Sequence, residues 1–152
     1  MGEARIESRR VETGLARARL DLDPEERFVP LRRMLGVTTF GLNEIVLRPG
    51  ERGRIHRHER QEEVYLVLDG TLSLLVEGEE HTLERGDLIR VAPDLRRQLV
   101  NRGPEPVVLL ALGGANEHAG RDGVAFESWE ATEGASPAQT PMPPDLPAAE
   151  RR

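Results

Sequence analysis

The feature that most constrains this fold is a series of short apolar runs, separated by turn residues, between Gly41 and Leu112. The runs are rich in Val, Leu and Ile, are shorter than typical helices, and show no helical interruption. The predicted strands are Leu42–Arg48, Arg54–His58, Glu63–Leu68, Thr71–Glu77, Glu80–Leu83, Asp87–Val91, Arg97–Asn101 and Val107–Leu112. Eight short strands in succession predict an all-β protein, closed into a barrel or jelly roll.

Turn residues separate the predicted strands at regular intervals. They are Pro49-Gly50, Asp69-Gly70, Glu77-Gly78, Arg85-Gly86 and Gly103-Pro104. A tight hairpin turn needs residues that tolerate positive φ, and Asp-Gly meets that need well. We therefore predict a hairpin at Asp69-Gly70.

The segments that flank the barrel differ from it in composition. We expect residues 1–40 to form an N-terminal arm, with Ile6–Val11 as a candidate strand and Pro24–Arg33 as a short helix or extended segment. The barrel is expected over residues 41–130. Residues 131–152 hold five of the eleven prolines, mixed with Ala, Ser, Thr and Glu. Such a composition predicts a disordered tail that contributes nothing to the fold, with a partner-binding proline-rich peptide as the alternative.

Composition excludes several classes of chemistry. The chain has no cysteine, which excludes disulfides, thiolate metal sites and cysteine nucleophiles, and all 21 of its basic residues are arginine, which excludes lysine Schiff bases. The net charge is −6 and the arginines are interleaved with acidic residues, so we expect no nucleic-acid partner. The N-terminus lacks an apolar signal core, and no apolar run approaches the roughly eighteen residues of a membrane span. We expect a cytoplasmic protein without a membrane partner.

Two histidines and a glutamate form the candidate site. Side chains two positions apart on a strand face the same side, so His56 and His58 point together. Glu63 opens the next strand, with Tyr65 on the same face. Two imidazoles and one carboxylate make a facial set of metal ligands with coordination positions left open. The alternative is a chance histidine pair on a solvated strand, since most histidines bind no metal; Tyr65, likewise, would either bond a ligand or pack in the barrel.

The spacing around these residues is more specific than the residues alone. Gly50, five residues, His56-x-His58, four residues, Glu63, six residues and Gly70 match the first cupin motif at every position. The chain therefore resembles the cupin superfamily, over nearly half of its length. The resemblance implies a small single-domain cupin of the conserved-barrel type, a double-stranded β-helix that is often dimeric and has the motif residues at the barrel mouth. In relatives these ligands hold Fe, Mn, Ni or Zn.

The second cupin motif is degenerate in this chain. Aligned on Gly86 and Asn101, the sequence places Arg97 where relatives carry a fourth ligand, a histidine. Arginine stays protonated and cannot act as a ligand. A one-residue slip of the strand would instead turn Arg96 or Gln98 inward.

An inward Arg97 leaves two interpretations. Either His56, His58 and Glu63 bind a metal weakly and Arg97 binds an anionic substrate, or the site is metal-free and Glu63 pairs with Arg97. His118, in a glycine-rich loop, is a weak further candidate for the barrel mouth.

Two function classes follow from these interpretations. The first is a metal-dependent oxygenase, isomerase or decarboxylase that acts on a small carboxylate. The second is a metal-free, non-catalytic barrel that binds a small molecule or serves as a structural dimer. We expect a homodimer in both cases, because the outward face with Leu66 and Leu68 is more apolar than a solvated face should be.

Overall fold

The computed structural model describes residues 9–12, 14–114 and 122–152. Its strands are β1 (Arg9–Glu12), β2 (Leu15–Arg17), β3 (Phe28–Val29), β4 (Gly41–Leu47), β5 (Ile55–His58), β6 (Glu62–Asp69), β7 (Leu72–Val76), β8 (Glu79–Leu83), β9 (Leu88–Val91), β10 (Arg97–Val100), β11 (Val107–Gly114) and β12 (Gly123–Phe126). One short helix, α1 (Leu31–Leu35), is found within the described residues, together with 3-10 turns at Pro137–Gln139 and Ala148–Glu150. Each of the eight predicted strands is present as one of β4 to β11.

Two five-stranded antiparallel sheets form the barrel. Sheet I has the order β12-β5-β10-β7-β8, and sheet II has the order β3-β4-β11-β6-β9. Strands β1 and β2 pair separately. The core between the sheets takes alternate residues from both, because successive side chains on a strand face opposite sides. It consists of Leu47, Tyr65, Val67, Leu72, Leu74, Leu83, Val91, Leu99, Val107, Leu109 and Ala111. The all-β jelly roll is confirmed.

The predicted hairpin at Asp69-Gly70 is wrong. Strand β6 pairs with β11 and β9 in sheet II, whereas β7 pairs with β10 and β8 in sheet I, so the chain crosses between sheets at this turn. Gly70 does have a positive φ of 77°. A Cβ there would also overlap the carbonyl oxygen of Pro106, so glycine is needed for a close backbone approach. The tight hairpin lies instead at Glu77-Gly78, where both residues have positive φ and join β7 to β8.

The segment 131–152, expected to be a disordered tail, lies in place along the barrel. The Leu146 side chain is 3% exposed, and its backbone N–H donates to the Gly50 carbonyl at 2.8 Å. The Arg54 side chain donates to the Thr140 carbonyl at 2.7 Å. The correction has a physical cause. Hydrogen bonds from barrel residues satisfy the carbonyls and amides of this extended segment, so it needs no apolar periodicity of its own.

The part of the N-terminal arm from β3 to α1 packs on β4 of sheet II. The predicted strand Ile6–Val11 overlaps β1, and its residues 6–8 lie outside the described part of the chain. Within the predicted segment Pro24–Arg33, β3 pairs with β4 and α1 begins at Leu31. Val29 and Leu31 are buried. Across the described ranges, no helix has the length and apolar character that crossing a membrane requires.

Candidate metal centre

The first-motif residues meet between the two sheets. His56 and His58 lie on β5 in sheet I, and Glu63 lies near the start of β6 in sheet II. The neighbour of Glu63 on the same inward face is Tyr65, which is 1% exposed. One ligand atom from each of the two histidines and Glu63 lies within 4.8 Å of the other two. The structure thus brings the three candidate ligands together, as the alternation along the strands predicted.

Both imidazoles direct Nε2 at the same carboxylate oxygen. The distances to Glu63 Oε1 are 3.5 Å from His56 Nε2 and 3.3 Å from His58 Nε2. The two rings lie 5.3 Å apart between centroids and are nearly perpendicular, at 87°. His56 Nδ1 faces the Arg54 carbonyl at 3.2 Å, and a carbonyl accepts only from a protonated nitrogen. The tautomer of His56 with its proton on Nδ1 would donate to this carbonyl and leave the Nε2 lone pair facing Glu63.

The Nδ1 atom of His58 also faces an acceptor, which is a carboxylate instead of a backbone carbonyl. Its Nδ1 lies 2.7 Å from Asp122 Oδ1, and its Nε2 is buried without a hydrogen-bond partner among the described residues. Burial lowers the pKa of His58, but Glu63 and Asp122 outweigh burial and raise the pKa above its usual value. A lone pair beside an anionic oxygen at 3.3 Å is unfavourable unless a proton or a cation lies between them. This donor set fits a divalent transition metal.

The Glu63 carboxylate is surrounded by donors and positive charge. Its Oε1 accepts from the Tyr65 hydroxyl at 2.6 Å and lies 3.4 Å from Arg97 Nη2. Burial raises the pKa of Glu63, but the adjacent imidazoles of His56 and His58 outweigh burial and hold the pKa well below its usual value. Burial and the Glu63 charge raise the pKa of Tyr65 well above its usual value. Tyr65, expected to contact substrate, therefore remains a neutral donor that orients Glu63.

Arg97 points into the barrel, at the position directly opposite His56 on the neighbouring strand. Its side chain is fully buried. Nη1 donates to the carbonyls of Pro93 and Leu95, at 3.1 and 2.7 Å. Nε and Nη2 have no hydrogen-bond partner within the described residues, although Nη2 forms the ion pair with Glu63. A buried guanidinium edge is therefore directed at the candidate centre.

The other inward candidates lie elsewhere. Arg96 stacks on the Phe126 ring, with its guanidinium carbon 3.8 Å from the ring centroid. Gln98 donates to the Gly53 carbonyl at 2.9 Å. The one-residue slip of β10 is therefore wrong, and Arg97 is the inward residue. His118 lies outside the described part of the chain.

Sequence reasoning missed Asp122, which immediately precedes β12. Besides His58, it accepts from the backbone N–H groups of Arg60 and Gln61, each at 2.9 Å. Burial raises the pKa of Asp122, but these backbone donors, together with His58 and the Gln61 side chain, lower the pKa to about 2. The only sequence signal was an acidic residue beside the short run Gly123–Phe126.

Comparison with known proteins agrees with this architecture. The cupin domain model matches residues 43–113, which include both site strands β5 and β6 as well as β10. The chain belongs to the cupin superfamily. Solved cupins superpose on it at modest sequence identity. A cupin protein from Bacteroides fragilis is 26% identical, with a TM-score of 0.56 over 64% of this chain and 83% of its own.

Two further relatives of this cupin have names that mention a function. A sugar phosphate isomerase of the cupin superfamily from Silicibacter pomeroyi is 26% identical, with a TM-score of 0.56 over 75% of this chain and 78% of its own. The tetracenomycin polyketide synthase protein TcmJ of Streptomyces glaucescens is 35% identical over 72 residues, which are 47% of this chain and 48% of TcmJ. The chain thus spans about half the length of the curated relatives it matches, 48% and 55%.

Proposed function

We propose that this cupin holds a divalent transition metal, Fe, Mn, Ni or Zn, through His56, His58 and Glu63. The observation that carries the proposal is the buried Nε2 of His58, which has no hydrogen-bond partner among the described residues and lies 3.3 Å from an anionic oxygen. A metal bound there would supply Lewis acidity and open positions for substrate or O₂.

The substrate class that we propose is a small carboxylate. Arg97 uses Nη1 for two backbone carbonyls, which fixes the plane of the guanidinium. Its Nε and Nη2 form the edge that binds a carboxylate through two parallel hydrogen bonds. Because Nη2 lies 3.4 Å from Glu63 Oε1, a carboxylate on this edge would lie beside the ligand set. The reaction class is an oxygenation, isomerisation or decarboxylation, and the isomerase among the relatives supports a small anionic substrate.

A metal-free ligand-binding cupin is the second candidate. The specific observation in its favour is the Arg97–Glu63 ion pair, which neutralises the Glu63 carboxylate without a metal. In that case His58 Nε2 would carry a proton, and the site would bind a small molecule without catalysis or serve a structural dimer.

Metal analysis separates the two candidates. The full chain, purified without chelators, is titrated with Zn²⁺ and with Ni²⁺, beside the variant Glu63→Gln. We expect one ion per chain in the wild type and a large loss of affinity in the variant, because an amide oxygen is a weaker ligand than a carboxylate. A wild type that binds no ion would favour the metal-free candidate, whereas equal and tight binding by both proteins would contradict the role of Glu63 as a ligand.

Carboxylate binding tests the substrate class. A panel of small mono- and dicarboxylates is screened against the metal-loaded wild type, Arg97→Met and the control Arg90→Met. Arg90 is an exposed arginine paired with Glu62, so its loss changes the net charge equally without altering the site. Binding that survives Arg97→Met would contradict the role given to this arginine.

A further inference from the structure

Asp122 joins three parts of the barrel mouth through one carboxylate. Its Oδ1 accepts from His58 Nδ1 at 2.7 Å and from the side-chain amide of Gln61. Its Oδ2 accepts from the backbone N–H groups of Arg60 and Gln61, each at 2.9 Å. The Asp122 side chain is only 8% exposed. The carboxylate thus links the end of β5, the turn after it and the start of β12.

We propose that Asp122 is a positioning residue that fixes the tautomer of His58, so that Nδ1 carries the proton and Nε2 presents its lone pair to the candidate centre. A carboxylate only accepts hydrogen bonds, and the Asp122 oxygen lies closer to Nδ1, at 2.7 Å, than the Glu63 oxygen lies to Nε2, at 3.3 Å, so the single proton of a neutral His58 belongs on Nδ1. A carboxylate that is hydrogen-bonded to Nδ1 also fixes the orientation of the ring and increases the basicity of Nε2. The part of this proposal that concerns metal affinity rests on the proposed function, whereas the part that concerns the tautomer does not.

The two histidines differ in this respect. His56 Nδ1 faces the neutral carbonyl of Arg54 at 3.2 Å, whereas His58 Nδ1 faces a charged oxygen at 2.7 Å. The partner of His56 belongs to the backbone of its own strand segment and cannot be removed by substitution. The partner of His58 is a side chain 64 positions away. The Nδ1 acceptor of His58, unlike that of His56, can therefore be changed by one substitution.

Asp122→Asn is the informative change because it keeps the shape of the side chain. Two backbone N–H groups meet Oδ2, and only an oxygen can accept from both. The amide NH₂ must therefore take the place of Oδ1, opposite His58 Nδ1. Two donors cannot face one another, so we expect His58 to move its proton to Nε2. That proton would then point at Glu63 and remove the lone pair from the centre.

The test uses histidine labelled with ¹⁵N in the whole chain without metal, with the pH raised until the ¹⁵N shifts themselves show neutral imidazole. We expect the wild type to carry the His58 proton on Nδ1, Asp122→Asn to carry it on Nε2, and His56 to keep Nδ1–H in both. The control is Asp87→Asn, in a turn where the Asp87 side chain accepts from the backbone N–H of Glu84. It should change neither histidine.

Metal affinity gives the second measurement. We expect Asp122→Asn to lower the affinity for Zn²⁺ or Ni²⁺ about 10- to 100-fold and the control to leave it unchanged. A wild type that binds no metal would contradict the proposed function, while the ¹⁵N spectra would still decide the role of Asp122. A wild-type His58 with its proton on Nε2 would overturn the inference even if the variant failed to fold, and so would an unchanged His58 tautomer in a folded variant.

Discussion

Replacing Arg97 with histidine is expected to raise the affinity for a divalent transition metal at least tenfold. Arg97 Nη2 lies 3.4 Å from Glu63 Oε1, so an ion bound to that oxygen would lie close to a fixed positive charge. Charges of +1 and +2 at about 5 Å repel by about 7 kcal/mol at an effective dielectric near 20. Solvent at the half-buried histidines and the Glu63 charge reduce this figure, so tenfold, about 1.4 kcal/mol, is a lower bound. The new imidazole would also stand directly opposite His56.

Isothermal titration with Zn²⁺ or Ni²⁺ measures the effect, and two further variants identify its source. Arg97→Met removes the charge without adding a ligand, so it should show part of the gain. Arg90→His removes an exposed arginine and should show none. Without metal, both Arg97 variants should melt earlier than the wild type, because Glu63 loses a buried partner; the cost is up to about 3 kcal/mol. Affinity that is unchanged in Arg97→His would refute the view that this charge acts on the centre.

The remaining predictions concern the fold and the assembly. Leu146→Ala should cost about 2 kcal/mol of unfolding free energy, because the Leu146 side chain is buried on the barrel. Met142→Ala, the control at an exposed position, should cost little, and chemical denaturation of both variants measures the difference. Gly70→Ala should destabilise more than Gly78→Ala in the same assay, since both have positive φ but only at Gly70 would the new Cβ overlap another residue. Burial raises the pKa of Glu80, but Arg102 and Arg152 outweigh burial and hold the pKa below the ordinary 4.5. The ion pairs of ionised Glu80 therefore stabilise the fold fully above pH 4.5, and this contribution is lost as the pH falls through the lowered pKa. Thermal melts from pH 6 to pH 3 (roughly the range in which carboxylates titrate) should therefore fall less steeply for Glu80→Gln than for the wild type. Light scattering at micromolar concentration should give the mass of a homodimer, and a monomer mass would contradict the interpretation of the apolar outer face of sheet II.

Much of the barrel and the core of its site could be predicted from local patterns. Alternation along β5 and β6 sufficed to place His56, His58 and Glu63 on inward faces, since strand geometry fixes which side each residue takes. The spacing from Gly86 to Asn101 likewise set the register that turns Arg97 inward. Each of these inferences depends on residues within about one strand or turn of one another.

The features that were missed depend on contacts between distant segments. Asp122 reaches His58 from 64 positions away, and no spacing rule connects them. The segment 131–152 is held by backbone and arginine hydrogen bonds, which leave no apolar period in the sequence. The sequence correctly predicts a positive φ at Gly70, but a glycine with positive φ suits both a hairpin turn and a crossing between two sheets. Local sequence cannot distinguish the two, because the difference lies in which strands pair.

The most direct test of the metal centre is anomalous diffraction from crystals of the wild-type chain grown with Zn²⁺ or Ni²⁺, recorded at the absorption edge of the metal. We expect one strong anomalous peak per chain, within ligand distance, about 2.0–2.2 Å, of His56 Nε2, His58 Nε2 and a Glu63 oxygen. Fully metal-exposed crystals without a peak at that point, with Arg97 and Glu63 still paired, would contradict it.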